Sequence, residues 1–163
     1  MNHSYSIEKN NVSLVPMTLI DSQKYREHRN LERNRKWFLN NRFINENAQM
    51  LWYKNYLLDE SDYMFAIYFR GEFIGGNGIY HINISDKSAE YGRLLVADHG
   101  RRGCGVGTIA TELACVIAKD LIKLKTLYLE VYRNNFAAIH CYEKVGFSCD
   151  TFDDKCLHMS LSL

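Results

Sequence analysis

RRGCGVGTIATELA, residues 101–114, sets three glycines at alternate positions, Gly103, Gly105 and Gly107, behind two arginines and ahead of a helix-like run. Main-chain N–H groups in the first turn of a helix find no acceptor within the helix. The helix dipole adds roughly half a positive charge at that end. Glycine omits the Cβ that would hold a bulky anion away from those donors. The segment Arg102–Gly107, with Cys104 and Val106 between the glycines, is therefore predicted to cradle a phosphate or pyrophosphate. A tight strand-to-helix connection accounts for the same glycines without a ligand. A P-loop ends in Gly-Lys-Ser/Thr, but here Thr108 follows Gly107 directly. A dinucleotide fingerprint opens a βαβ unit, whereas this loop lies late in the chain, behind a hairpin.

Working outward, Val106–Leu121 is predicted as a helix with Val106, Ile109, Ala110, Leu113 and Ile117 on one apolar face. Upstream, Val12–Met17 reads as a first strand. Thr18–Asn30 reads as a helix with Thr18 as N-cap and Asp21 three residues on. Leu31–Arg42 is polar and basic and is expected to be irregular, and Asn45–Leu58 is a second helix. Tyr63–Phe69 is apolar at successive positions, as a central strand should be. Arg70–Gly71 turns it into Glu72–Asn83, where Gly75, Gly76 and Gly78 point to a bend or a close backbone approach. Ala89–Val96 follows. Downstream come strand Thr126–Tyr132, a short helix Asn135–Lys144 closed by Gly146, and two strands beginning at Phe147 and Cys156. This order predicts a mixed α/β fold: one domain over residues 1–163, with a mostly antiparallel twisted sheet of about seven strands and four helices.

Composition narrows the partners. The chain has 163 residues, 47% of them apolar and 24% charged, with a formal net charge of +1. Such a balance argues against a broad nucleic-acid or membrane surface. No apolar run reaches the roughly 20 residues of a membrane span, and MNHSYSIEKN lacks the apolar core of a signal peptide. A cytoplasmic protein is expected. The five cysteines form no CxxC pair and read as reduced thiols, mostly small core residues. No metal is expected, because Cys156 and His158 lack a second ligand pair at finger spacing.

A second motif lies downstream of the glycine loop: Asn135-x-x-Ala138-Ile139-x-x-Tyr142-x-Lys144-x-Gly146-Phe147. With Arg102-x-x-Gly105-x-Gly107 it resembles the GNAT family of acetyl-CoA-dependent N-acetyltransferases. The resemblance covers nearly the whole chain, including the hairpin before the loop and the last two strands. One departure is the segment Ala97–Arg101, which is a residue longer than usual and lacks the common proline. The resemblance implies that the amides of Arg102–Gly107, flanked by Arg101 and Thr108, hold the diphosphate of acetyl-CoA. It implies that strands Ala89–Val96 and Thr126–Tyr132 splay to admit the pantetheine arm, with Asn135 and Ala138 beside it. A plain helix cap is the alternative for Asn135.

Acyl transfer to an amine needs a free lone pair, a polarised carbonyl and a stabilised thiolate. Amides near Leu95 and Val96 are candidates for the carbonyl. Tyr142 sits where the family has its general acid; otherwise it is a core tyrosine. Glu90 is the candidate base, its alternative being an ion pair with Arg93 or Lys87. Glu130 and His81 rank behind it. Regular alternation puts His81 on one face with Ile79, so a core histidine is equally good.

The acceptor site should be shaped by KYREHRNLERNRKWF, residues 24–38, and its surroundings. Arg29, Arg35 and Trp37, together with His81, are candidates for acceptor binding. The bland reading is a solvated basic helix face with core aromatics. The sharper one is a site for a small amine acceptor carrying phosphate, with arginines on phosphate and an aromatic on the base or sugar. The pattern is similar to family members that acetylate nucleotide-linked aminosugars, and also to ribosomal-protein N-terminal acetyltransferases. The sugar is ranked first, since a polyamine would favour acidic residues. A module that binds acyl-CoA without chemistry is the alternative of another class, and a homodimer is left open.

Overall fold

In a computed structural model, residues 2–97 and 105–163 are described. Arg101, Arg102, Gly103 and Cys104, four of the proposed cradle residues, lie outside them.

The elements run β1 (Ile7–Lys9), β2 (Val12–Pro16), α1 (Leu19–Asn30), α2 (Glu32–Arg35), α3 (Glu46–Tyr56), β3 (Asp62–Phe69), β4 (Glu72–Asn83), β5 (Ser88–Val96), α4 (Val106–Val116), β6 (Thr126–Tyr132), α5 (Phe136–Val145), β7 (Ser148–Phe152) and β8 (Cys156–Ser162). The strands form one 8-stranded sheet in the order β1-β2-β3-β4-β5-β6-β8-β7. Every neighbouring pair is antiparallel except β5 and β6.

Two elements exceed the expected count. β1 has three residues, too few for a period to show, and is tied to β2 by Asn10 and Asn11, whose φ values of 53° and 62° make a hairpin turn. α2 is a single turn inside the segment expected to be irregular. α4 continues into a π-helical turn, Ile117–Leu121. Among the described residues, no helix is long and apolar enough to cross a membrane.

Local chemistry explains the helix starts. Thr18 and Asp21 form the anticipated capping box, a feature worth about 1 kcal/mol. Asn45 caps α3 through the Ala48 amide. α5 opens on Asn135, which accepts from the Ala138 amide, and closes on Gly146 at φ 110°.

Helices cover both faces of the sheet. On one, Val106, Ala110, Leu113 and Ile117 of α4 pack on Phe65, Ile79 and Tyr91. On the other, Tyr25 of α1 and Tyr53 and Tyr56 of α3 pack on Met17, Met64 and Leu95.

Two bulges break the strand alternation. His81 and Arg93 have positive φ, 52° and 54°, and the β4–β5 register shifts between Tyr80 and Asn83. A bulge adds one residue and re-aims those after it. Ile79 and Ile82, rather than Ile79 and His81, therefore reach the α4-side core, and Tyr91 is succeeded there by Leu94 and Val96. The expected core position of His81 is corrected: its side chain is 69% exposed.

Candidate active site

The parallel ladder between β5 and β6 is short. Ser88, Ala89 and Glu90 pair with Thr126, Leu127 and Tyr128, and no pairing follows. Beyond Glu90, β5 stays with β4 as far as Val96. Beyond Tyr128, β6 stays with β8 as far as Tyr132. The gap opens into a cavity of about 590 Å³. Gly92 and Leu94 line it from β5, Val131 and Tyr132 from β6, and Ala138 and Tyr142 from α5. Each separating strand leaves main-chain donors and acceptors facing the cavity, where an amide-bearing chain would satisfy them.

The first turn of α4 lies beside the gap. Gly105 is its N-cap at φ 75°, a left-handed conformation, and no side chain caps it. The first intrahelical bond runs from the Ile109 amide to the Gly105 carbonyl, so the amides of Val106, Gly107 and Thr108 have no partner within the helix. Among the described residues, nothing lies within 4 Å of where a Cβ on Gly105 would stand. Uncapped amides at such a helix start suit an anion. Gly107 is within reach of Leu94 and Val96, which joins this helix end to the gap.

Tyr142 is buried and packs edge-on against Tyr91, ring centroids 6.1 Å apart. Among the described residues its hydroxyl has no hydrogen-bond partner, and it lines the cavity. Burial pushes the phenol well above its ordinary pKa. It is therefore a neutral O–H donor across the whole working range, better suited to stabilising an anion by a hydrogen bond than to giving up its proton.

Glu90 lines the same cavity. Its Oε1 accepts from the Tyr80 hydroxyl at 2.7 Å, and its Oε2 lies 2.9 Å from His81 Nδ1. The cross-strand pairing expected as the alternative for Glu90 is present, with His81 in place of Arg93 or Lys87. Arg93 instead reaches Asp62 from one nitrogen, at 2.7 and 2.8 Å. Asp62 has its carboxyl pushed up by burial, an effect that Arg93 opposes. Asn135 lines the cavity while acting as the helix cap, so the cap reading is the one realised.

The basic segment is arranged differently from the sharper expectation. Of Lys24, Arg26, Arg29, Arg33, Arg35, Lys36 and Arg42, only Arg29 lines the cavity. Arg29 is itself buried, donates to the carbonyls of Asn40 and Arg42, and stacks 4.7 Å from the Phe38 ring centre. Its guanidinium shapes the loop that follows. Arg35 does not reach the cavity. Trp37 does, joined by Trp52, which the sequence placed on the second helix. Tyr25 and Gln49 were missed as lining residues. Among the described residues, the charged groups in the cavity wall besides the engaged Arg29 and Arg93 are the carboxylates Glu90 and Glu130.

Among the described residues, four thiols are free: Cys115 and Cys156 are buried, Cys141 is half-buried and Cys149 is exposed. Glu130, Asp153 and His158 bring ligating atoms within 4.8 Å of one another on the β6–β8 surface. His158 Nε2 lies 3.2 Å from Asp153 Oδ2.

Residues 27–147 match the family model described as Acetyltransferase (GNAT) family. The spermidine N(1)-acetyltransferase of Escherichia coli (strain K12) is 32% identical over 98 residues, 60% of this chain and 52% of that protein. The chain thus spans about half the length of the curated relatives it matches. Among solved structures, spermidine N-acetyltransferase from Vibrio cholerae, crystallised with CoA and spermine, superposes with TM-score 0.81 at 18% identity, covering 94% of this chain and 96% of that one. A probable GNAT-family acetyltransferase from Chromobacterium violaceum gives TM-score 0.81 at 14% identity, covering 98% and 87%. At such identities the likeness is one of fold. It agrees with the family match over residues 27–147, and the chain belongs to the acetyltransferase (GNAT) family.

Proposed function

We propose that the protein is an acetyl-CoA-dependent N-acetyltransferase whose acceptor is a cationic alkylamine of the polyamine class. The observation that carries the transferase reading is the β5–β6 gap, with Glu90 and Tyr142 lining one cavity beside the uncapped start of α4. Acetyl-CoA, when bound, supplies an activated thioester. The amides of Val106, Gly107 and Thr108 would hold its diphosphate, together with the preceding Arg102–Cys104 segment. Leu95 and Val96 would offer main-chain N–H to the carbonyl. Glu90 accepts the proton that the attacking amine gives up as the C–N bond forms. Tyr142 donates a hydrogen bond to the sulfur as the C–S bond breaks. Asn135 borders the arm of the coenzyme.

Support for the acceptor comes from charge and from the relatives. Two carboxylates stand in the cavity wall, whereas its arginines are committed to carbonyls or to Asp62. Aromatic faces from Trp37 and Trp52 suit an alkylammonium chain. The named relatives are spermidine N-acetyltransferases. A nucleotide aminosugar would bring phosphate to a wall whose described arginines are already engaged and which carries two carboxylates, so it takes second place.

The test is CoA release with acetyl-CoA and, in turn, spermidine, spermine, a UDP-aminosugar, a TDP-aminosugar and a ribosomal N-terminal peptide. Turnover with the polyamines is expected. Turnover only with a sugar or the peptide would overturn the acceptor. Tight acetyl-CoA binding with no turnover on any amine would favour the non-catalytic module.

A further inference from the structure

We infer that Tyr80 is a positioning residue for Glu90, and that Gly92 is glycine to make room for it. The inference rests on Glu90 being the base of the proposed reaction. Asp62, Tyr80 and Glu90 occupy one row across three adjacent strands: Asp62 is registered opposite Tyr80, and Tyr80 opposite Glu90. The Tyr80 hydroxyl donates to Glu90 Oε1 at 2.7 Å. Nothing about a cross-strand tyrosine requires that contact, since the ring could turn outward at the sheet surface.

Arg93 and the space at Gly92 fix where the ring lies. Arg93 lies over its face at 3.9 Å from the centroid, and is itself fixed by two contacts to Asp62. The Arg93 carbonyl is tied to the Tyr25 hydroxyl at 2.7 Å. On the other side, a Cβ on Gly92 would stand 2.7 Å from the Tyr80 hydroxyl oxygen. The Gly92 φ is not in the left-handed region, so backbone conformation does not demand a glycine there. Space for the tyrosine does. The bulges at His81 and Arg93 complete the arrangement, turning His81 toward Glu90 Oε2 and Arg93 over the ring. Both Glu90 oxygens are thereby oriented from β4, and the carboxylate faces the cavity with a defined geometry.

The experiment compares Tyr80→Phe and Gly92→Ala with wild type, each also in a Glu90→Gln background, using spermidine as acceptor. Melting temperatures and acetyl-CoA binding serve as folding controls. Tyr80→Phe removes one oxygen and leaves the ring in its slot, so it should lower kcat about tenfold, the scale of a hydrogen bond to a charged group. The KM for acetyl-CoA should stay within twofold. In the Glu90→Gln background the same change should cost less than twofold, because the residue it acts through is gone. Gly92→Ala should mimic Tyr80→Phe and add nothing to it. An equal cost in both backgrounds means a structural role and overturns the inference. A readout independent of turnover is the crystal structure of Tyr80→Phe. A displaced Glu90 carboxylate is expected, and a carboxylate in its original position overturns the inference. If wild type acetylates no amine at all, the proposed function falls, while this structural comparison still decides the role of Tyr80.

Discussion

Glu90 stands opposite Tyr128 on the last paired rung between β5 and β6. One residue further, each strand belongs to a different neighbour: β5 to β4, β6 to β8. The candidate base therefore sits at the apex of the gap, where the sheet's hydrogen bonding stops and the cavity begins. Tyr142 reaches the same cavity from α5, across from β5. The order of events along the chain produces this geometry. β5 enters the glycine loop, α4 crosses one face, and β6 returns parallel to β5 for only three residues.

Tyr142→Phe removes a hydroxyl that has no partner among the described residues and leaves the ring packed against Tyr91 and Phe147. We expect kcat to fall at least tenfold, the lower end for a positioned acid or donor. Acetyl-CoA binding by calorimetry should be unchanged. Undiminished turnover would remove Tyr142 from the mechanism.

Two glycines should respond in opposite ways to alanine. A Cβ on Gly75 would lie 1.8 Å from the Leu95 carbonyl oxygen, a backbone atom that cannot step aside. Gly75→Ala should cost about 3 kcal/mol or more, seen as a large drop in melting temperature or loss of soluble protein. Gly105→Ala meets no neighbour among the described residues and pays for its left-handed φ, about 1 kcal/mol. Its larger effect should be on acetyl-CoA affinity.

His3 gives the fold a pH dependence. Its ring packs 4.7 Å from Phe65 and 4.9 Å from Tyr63, and Nε2 donates to the Met64 carbonyl at 3.1 Å. Burial lowers its pKa below the ordinary 6.5. The unfolded chain thus binds a proton before the folded one does. The contribution to stability is complete above pH 6.5 and is lost as pH falls through the folded value. Thermal melts at pH 7.5 and about 5.5 should show a larger loss for wild type than for His3→Phe. Equal losses would mean that His3 titrates alike in both states.

The acceptor reading separates two charges. Glu130→Gln should raise the KM for spermidine several-fold with little change in kcat, since it removes a carboxylate from the cavity wall. Arg35→Ala should leave both constants nearly unchanged, because Arg35 lies away from the cavity. The reverse pattern would restore an anionic acceptor.

Periodicity and caps made much of this legible in the sequence. Thr18 with Asp21, Asn45, Asn135 and Gly146 each marked a helix end found in the structure. The alternation of Leu127, Leu129 and Val131 placed β6 correctly. What escaped was local geometry that no period encodes. A bulge is one residue with φ of 52°, so regular alternation carried His81 to the wrong face. The basic stretch after α1 looked like a phosphate site because a sequence does not show where a guanidinium ends. Arg29, near the end of α1, has its guanidinium on two carbonyls of the loop that follows, those of Asn40 and Arg42. The Tyr80–Glu90 contact was out of reach for the same reason, being set by Arg93, Asp62 and the space at Gly92.

The most direct measurement is amide hydrogen exchange with and without acetyl-CoA, at concentrations up to about 1 mM, where a site worth only about 4 kcal/mol is half filled. Slowed exchange is expected at Val106, Gly107 and Thr108 and along the cavity-facing edge of β5. Unaltered exchange at these amides, whether or not other regions respond, would contradict the account.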